Sequence, residues 1–205
     1  MFRRRSFLKS SSIIAGGLIL PKLSFKSKKL NQKKLKIAVV GCGGRGTGAA
    51  VQALRADNNV ELVTLADAFK DRLEASLNAI KDEFEGEMEI NIKEKNKFVG
   101  FDAYKKAIDK SDVVILASPP GFRPAHFEYA INKNKHVFME KPVATDAHGV
   151  RQVLNSARKA KEKNLNVVVG LQRRYQKSYL SAKKQIDRGM IGKIISAHVR
   201  WNSAG

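Results

Sequence analysis

The feature that most constrains this chain is a short one. Leu35-Lys36-Ile37-Ala38-Val39-Val40 is an apolar, β-branched run of strand length, and it passes without a break into Gly41-Cys42-Gly43-Gly44-Arg45-Gly46. Ala49, Ala50, Val51, Ala53 and Leu54 then suit a helix that ends near Asp57-Asn58-Asn59. A second apolar run, Val60 to Ala66, closes on Asp67. Glycine-rich loops are common by themselves. Between a buried strand and a helix start, with an acid about twenty positions further on, Gly41-x-Gly43-x-x-Gly46 becomes a dinucleotide fingerprint.

Each position has a physical task. Gly41 permits the tight turn, and Gly43 lets the backbone approach a pyrophosphate. Gly46, with Gly48, Ala49 and Ala50, permits close helix–strand packing. The N-terminus of the following helix presents free N–H groups, which with the charge of Arg45 beside them suit phosphate. Asp67 is placed either to accept from a ribose diol, which favours NAD over NADP, or to cap the next helix. Lys70 and Arg72 leave room for NADP.

The pattern continues down the chain. Leu73, Leu77, Ile80 and Phe84 carry a helix over 69–84. Gly86 to Lys97 is charged, with Met88, Ile90 and Ile92 alternating as in a strand-like excursion. Phe98-Val99 is a third strand, and Asp102 is placed to cap a helix through Ile108. Val113 to Ala117 is a fourth strand, broken by Ser118-Pro119-Pro120-Gly121. A helix over 124–132 precedes a fifth strand, His136 to Met139. Asp146 caps a helix to about Lys163, and Val167-Val168-Val169 is the sixth strand. Six apolar strands alternating with helices predict an α/β fold over residues 36–172, a doubly wound parallel sheet of Rossmann type.

Beyond Gly170 the character changes. Tyr175 to Arg188 reads as a helix and Ile194 to Trp201 as a strand. Residues 173–205 are expected to begin an incomplete α+β second domain, for substrate and oligomerisation.

Charge separates the chain into two parts. Residues 1–35 hold ten Lys or Arg and no acid, which is half of the net +20. The other half is spread over the remaining positions among acids, and no recognition motif accompanies it, so nucleic acid is not an expected partner. Arg4-Arg5-x-Phe7-Leu8-Lys9, a diluted apolar stretch from Ile13 to Leu20 and then Pro21 resemble a twin-arginine export signal. Residues 1–35 are accordingly an export leader and linker, with a periplasmic destination. A cytoplasmic location is the alternative if this stretch is only a basic tail. No apolar run is long enough for a spanning helix. The single cysteine, Cys42, excludes a disulfide framework and a multi-cysteine metal site. It reads as a space-filling residue whose pKa a helix N-terminus would lower.

A second cluster, Glu140-Lys141-Pro142, lies just beyond the fifth strand, on the edge where open α/β sheets bind ligands. A partly buried Lys141 there would orient a substrate hydroxyl or tune its ionisation; the alternative is a lysine salt-bridged to Glu140 or another acid. His136 reads as structural, His148 as a surface residue and His198 as packing or solvent-facing. None has metal-ligand spacing.

Taken together, several segments resemble the glucose–fructose oxidoreductase/inositol dehydrogenase/MocA family. They are the fingerprint, Ser118-Pro119-Pro120, His126, Lys135-His136-Val137-Phe138-Met139-Glu140-Lys141-Pro142, Gly170-Leu171-Gln172-Arg173-Arg174-Tyr175 and Ile191-Gly192-Lys193-Ile194. The resemblance implies that Lys141 stands beside nicotinamide and substrate as the catalytic residue. It also implies that Ser118, Pro119, His126, Glu140, Lys141 and Gln172 join Gly41, Gly43, Gly44, Arg45, Gly46 and Asp67 at the cofactor. Two departures stand out. Ser118-Pro119-Pro120-Gly121-Phe122-Arg123 replaces the family's Thr-Pro-Asn ahead of His126, and Gln172 stands where Asn is common.

The implied activity is hydride transfer between NAD, or less readily NADP, and a sugar or polyol, by a homo-oligomeric full-length form. Two alternatives accompany it. One is the family's NAD-dependent glycosidase chemistry, oxidation followed by elimination. The other is a non-catalytic nucleotide-binding fragment.

Overall fold

The computed structural model describes residues 33–200 and Asn202. Of the expected leader and linker, residues 1–32 lie outside the described residues. The described chain alternates strands and helices: β1 (Leu35–Val40), α1 (Gly44–Ala56), β2 (Val60–Asp67), α2 (Lys70–Glu83), β3 (Lys97–Val99), α3 (Ala103–Asp109), β4 (Val113–Leu116), α4 (Arg123–Asn132), β5 (His136–Met139), α5 (Ala147–Glu162) and β6 (Val167–Val169). A 3-10 turn at Gln172–Arg174 leads into α6 (Lys177–Asp187).

All strand pairs are parallel, in the order β3-β2-β1-β4-β5-β6. The expected doubly wound sheet is thus present. Strand β1 is central, and its side chains alternate between two cores. Ala38 and Val40 pack with Leu116, Phe127, Ile131 and Met139 on the face covered by α3, α4 and α5. Ile37 and Val39 pack with Leu65, Leu73, Leu77 and Ile80 on the face covered by α1 and α2. Helices cover both faces, which is why the strands read as continuous apolar runs rather than alternating ones. Each fully buried Leu or Ile contributes about 1.5–3 kcal/mol to holding the layers together.

The strand order reverses at β1. It pairs with β2 on one side and β4 on the other, so the connections leave in opposite directions and open a crevice at the carboxyl ends. The fingerprint lies there.

Four local expectations need correcting. Asp102 does not cap α3 through its side chain; it pairs with Lys105 at 2.7 Å instead. Its φ of −92° and ψ of 0° are not the extended backbone of a side-chain cap. Asp146, in extended backbone, does cap α5, accepting from Gly149 N at 2.6 Å. Residues 88–92 form no strand, since they pair with none of the described strands. Ile90 and Ile92 are buried and pin the loop to the core beneath α2. Residues 194–200 form no strand either, since no described strand lies beside them to share hydrogen bonds. Finally, Gly48 is not a packing glycine: a Cβ there would meet nothing within 4 Å.

Candidate functional site

The crevice is a cavity of about 480 Å³. Its wall brings together Gly41, Gly43, Arg45, Asp67, Ser118, Pro119, His126, Glu140 and Lys141. Gly44 and Gly46 lie outside the lining, the first exposed at the start of α1 and the second buried in its first turn. Gln172, on the exposed turn after β6, also lies outside it.

Two glycines are required by space. Gly41 has φ +95°, and a Cβ on it would stand 2.3 Å from Ser118 N, so the turn after β1 is pressed against the loop after β4. Gly46 is tighter still: its Cβ would fall 1.9 Å from the carbonyl oxygen of Gly41. Gly43 is the opposite case. It is exposed, it precedes α1, and the space around it is open. Bare backbone therefore meets the cavity at a helix N-terminus with no acid in its first turn. That arrangement fits a pyrophosphate.

Asp67 ends β2 and does two things. Its Oδ2 accepts from Cys42 N at 2.7 Å, and its Oδ1 accepts from Phe69 N at 2.9 Å. The carboxylate thereby ties the fingerprint turn to the second strand. It is not the cap of α2, since Phe69 occupies that position. Each oxygen retains a lone pair, and the group lines the cavity, so a ribose diol has acceptors available.

Cys42 corrects an expectation. Burial pushes its thiol up to about 12, and the Asp67 carboxylate adds to the rise. The nearby helix N-terminus does not make it reactive.

On the other side of the crevice, Glu140 is buried and pairs with Arg45 Nε at 3.3 Å. Gly170 makes room for it, because a Cβ there would lie 2.9 Å from Glu140 Oε2. Glu140 is thus committed to Arg45, and Lys141 stands exposed on the cavity rim rather than partly buried. His126 is a wall residue. Its Nδ1 lies 3.0 Å from Ser118 Oγ, and its ring stacks on Tyr104 with centroids 4.1 Å apart. Burial, aided by the charge of Arg123, pushes its pKa down to about 4, so it is uncharged at neutral pH. His136 Nδ1 accepts from Asn166 N at 3.0 Å, a structural contact between β5 and the turn before β6.

Sequence reasoning missed the rest of the wall. Phe69, Phe101 and Phe122 line it while remaining exposed, and Phe101 and Phe122 lie 6.0 Å apart. Arg123 lines it while buried. One signal existed for Arg123: a cation at the N-terminus of an apolar helix, where the dipole opposes it.

A doubly wound sheet, a fingerprint at its switch point and an acid ending the second strand define a dinucleotide-binding protein. The family follows from comparison. Residues 35–170 match the GFO_IDH_MocA model, described as "Oxidoreductase family, NAD-binding Rossmann fold", and the chain belongs to that family. It is 30% identical over 173 residues to the inositol 2-dehydrogenase of Salmonella paratyphi B, covering 83% of this chain and 46% of that protein. Among solved structures it resembles the myo-inositol 2-dehydrogenase of Lactobacillus plantarum (TM-score 0.62, 31% identity, 80% of this chain and 44% of that one). It also resembles the scyllo-inositol dehydrogenase of Lactobacillus casei with bound NAD(H) and scyllo-inositol (TM-score 0.61, 26% identity, 78% and 43%). The chain spans less than half the length of these relatives.

Proposed function

We propose that the protein is an NAD-dependent oxidoreductase of a polyol or sugar, and that this chain supplies its coenzyme-binding half and the residue that handles the substrate hydroxyl. One observation carries the reading: a single cavity is lined by Gly43 at a helix N-terminus, by Asp67 and by Lys141. Gly43 and the first turn of α1 would hold the pyrophosphate, Asp67 the adenosine ribose, and the loops after β4 and β5 the nicotinamide half. The bound nicotinamide supplies the acceptor for hydride leaving the carbinol carbon. Lys141 Nζ would donate a hydrogen bond to the substrate oxygen, orienting it and favouring its ionisation, while the hydroxyl proton would pass to water at the exposed rim. Glu140, held by Arg45, keeps the segment carrying Lys141 against β4, where its N–H donates to Leu116 O at 3.0 Å.

Three further proposals accompany this. Residues 173–205 begin a substrate and oligomerisation domain; α6 has no buried residue, and Tyr179, Leu180 and Ile186 are all exposed. The full-length form is a homo-oligomer. The twin-arginine resemblance of the leader supports export, and changing Arg4 and Arg5 to Lys should then retain the protein in the cytoplasm. Among the described residues, no helix is long and apolar enough to cross a membrane.

The decisive experiment is calorimetric titration of the chain with NAD and NADP, followed by kinetics of Lys141→Ala in a full-length form on inositols and aldoses. Binding of NAD and a fall in both kcat and kcat/KM at intact NAD affinity are expected. Unchanged kinetics would remove Lys141 from the reaction.

A further inference from the structure

Between the loops that follow β4 and β5 lies a buried cation with no carboxylate on it. Arg123 is 2% exposed, yet it is the first residue of α4, where the helix dipole disfavours positive charge. A guanidinium stays charged inside a protein, so it cannot escape the cost of burial by losing its proton. A residue placed against both burial and dipole requires compensating contacts. Those contacts are two main-chain carbonyls. Nη2 donates to the oxygen of Ser118, and Nη1 donates to the oxygen of Pro142. The nearby acid, Glu140, is paired with Arg45. Nε has no hydrogen-bond partner among the described residues.

Ser118 belongs to the loop after β4, and Pro142 directly follows Lys141 in the loop after β5. The two strands are hydrogen-bonded neighbours, but their loops are separate pieces of chain with separate freedom. One planar fork spans both. Neutral carbonyl acceptors on two loops make this a tether rather than an ion pair, and only the fixed geometry of a guanidinium can reach both at once.

We propose that Arg123 is a positioning residue for the nicotinamide half of the coenzyme site, fixing the Ser118 loop and the Lys141 loop relative to each other. The assignment rests on the dinucleotide reading above. In a sheet of order β3-β2-β1-β4-β5-β6, the adenosine ribose is taken by Asp67 on β2, and the other half of a bound dinucleotide crosses β1 toward β4 and β5. The loops that Arg123 ties are the ones on that second side.

The test compares NADH with ADP-ribose, which carries the same adenosine diphosphate ribose but no nicotinamide. Both are titrated calorimetrically into the chain and into Arg123→Met and Arg123→Lys. Tighter binding of NADH than of ADP-ribose is expected for the wild type. Each variant should lose about tenfold in NADH affinity, the size of one hydrogen bond from a charged donor, while ADP-ribose affinity stays within about twofold. Arg123→Lys keeps the charge and carries the test if Arg123→Met does not fold. Full NADH affinity in Arg123→Lys, or equal losses for both ligands, would overturn the assignment. If the wild type binds neither ligand, the dinucleotide reading itself fails, an outcome distinct from failure of the tether.

Discussion

The two rims of the crevice are built by different means. The rim over β1 and β2 is made of absent side chains: Gly41 and Gly46 are in place because a Cβ would strike backbone, and Asp67 ties the turn down through the main-chain N–H of Cys42. The rim over β4 and β5 is made of large buried polar side chains. Arg123, His126 and Glu140 fill it, and their partners are carbonyls, a hydroxyl and another guanidinium. The first rim is fixed by steric exclusion, the second by a polar network that must stay satisfied. Steric exclusion tolerates no substitution but is indifferent to pH, whereas a buried polar network tolerates size changes and responds to pH.

The largest effect should come from breaking the first rim. Gly46→Ala places a methyl 1.9 Å from the Gly41 carbonyl oxygen, which belongs to backbone and is itself held against the loop after β4. A destabilisation of about 3 kcal/mol or more is expected, at or beyond the upper end of overpacking costs. Urea unfolding of wild type and variant measures it. A loss below about 1 kcal/mol would mean that the turn can move, and that the first rim is not sterically fixed.

That rim was also the legible one. Glycine spacing, a strand before it and an acid after it are local rules written in contiguous residues, so β1, α1 and β2 could be read directly. The second rim was legible only in part. Glu140 and Lys141 stood out, but Arg123 did not, since its partners are the main-chain carbonyls of Ser118 and Pro142, and a carbonyl has no sequence signature. The aspartates before helices teach the same lesson. Asp102 and Asp146 look alike in sequence, yet only Asp146 has the extended backbone, φ −146° and ψ 171°, that brings a carboxylate onto a helix N–H. A strand over 194–200 failed for a related reason, because β structure depends on a partner rather than on its own residues.

Acid should break the second rim next. Buried His126 is pushed down from 6.5 to about 4, so between those values the unfolded chain holds a proton that the folded chain refuses. The stability contributed by the neutral ring is complete above pH 6.5 and falls as pH drops toward about 4, by up to about 1.4 kcal/mol per pH unit. His126→Asn should flatten that part of the stability–pH curve. Parallel curves for wild type and variant would place His126 in a wetter setting than the wall of this cavity.

Asp67 couples the first rim to the ligand, so its loss should register twice. Asp67→Ala leaves the N–H groups of Cys42 and Phe69 without their acceptor, which costs about 1–3 kcal/mol of stability. It should also weaken NAD more than NADP, because the ribose diol loses its acceptor while a 2′-phosphate loses a repelling charge. Titrations with both coenzymes and a melting curve separate the two effects. Equal losses of NAD and NADP would leave Asp67 only its structural task.

The smallest expected effect has the opposite sign. Gly48 lies two residues beyond Gly46, inside α1, and a Cβ there meets nothing within 4 Å. It does not line the cavity. With no packing or ligand reason to be glycine, the position carries only the helix penalty, so Gly48→Ala should stabilise the chain by up to about 1 kcal/mol. Part of that gain arises in the unfolded chain, which has fewer conformations to lose when alanine replaces glycine. NAD affinity should be unchanged. Measured beside Gly46→Ala, this variant tests whether exclusion or merely small size governs the fingerprint helix: the same substitution two positions apart should change stability in opposite directions. A loss of stability at both positions would mean that α1 lies closer to its neighbours than the open space around Gly48 indicates.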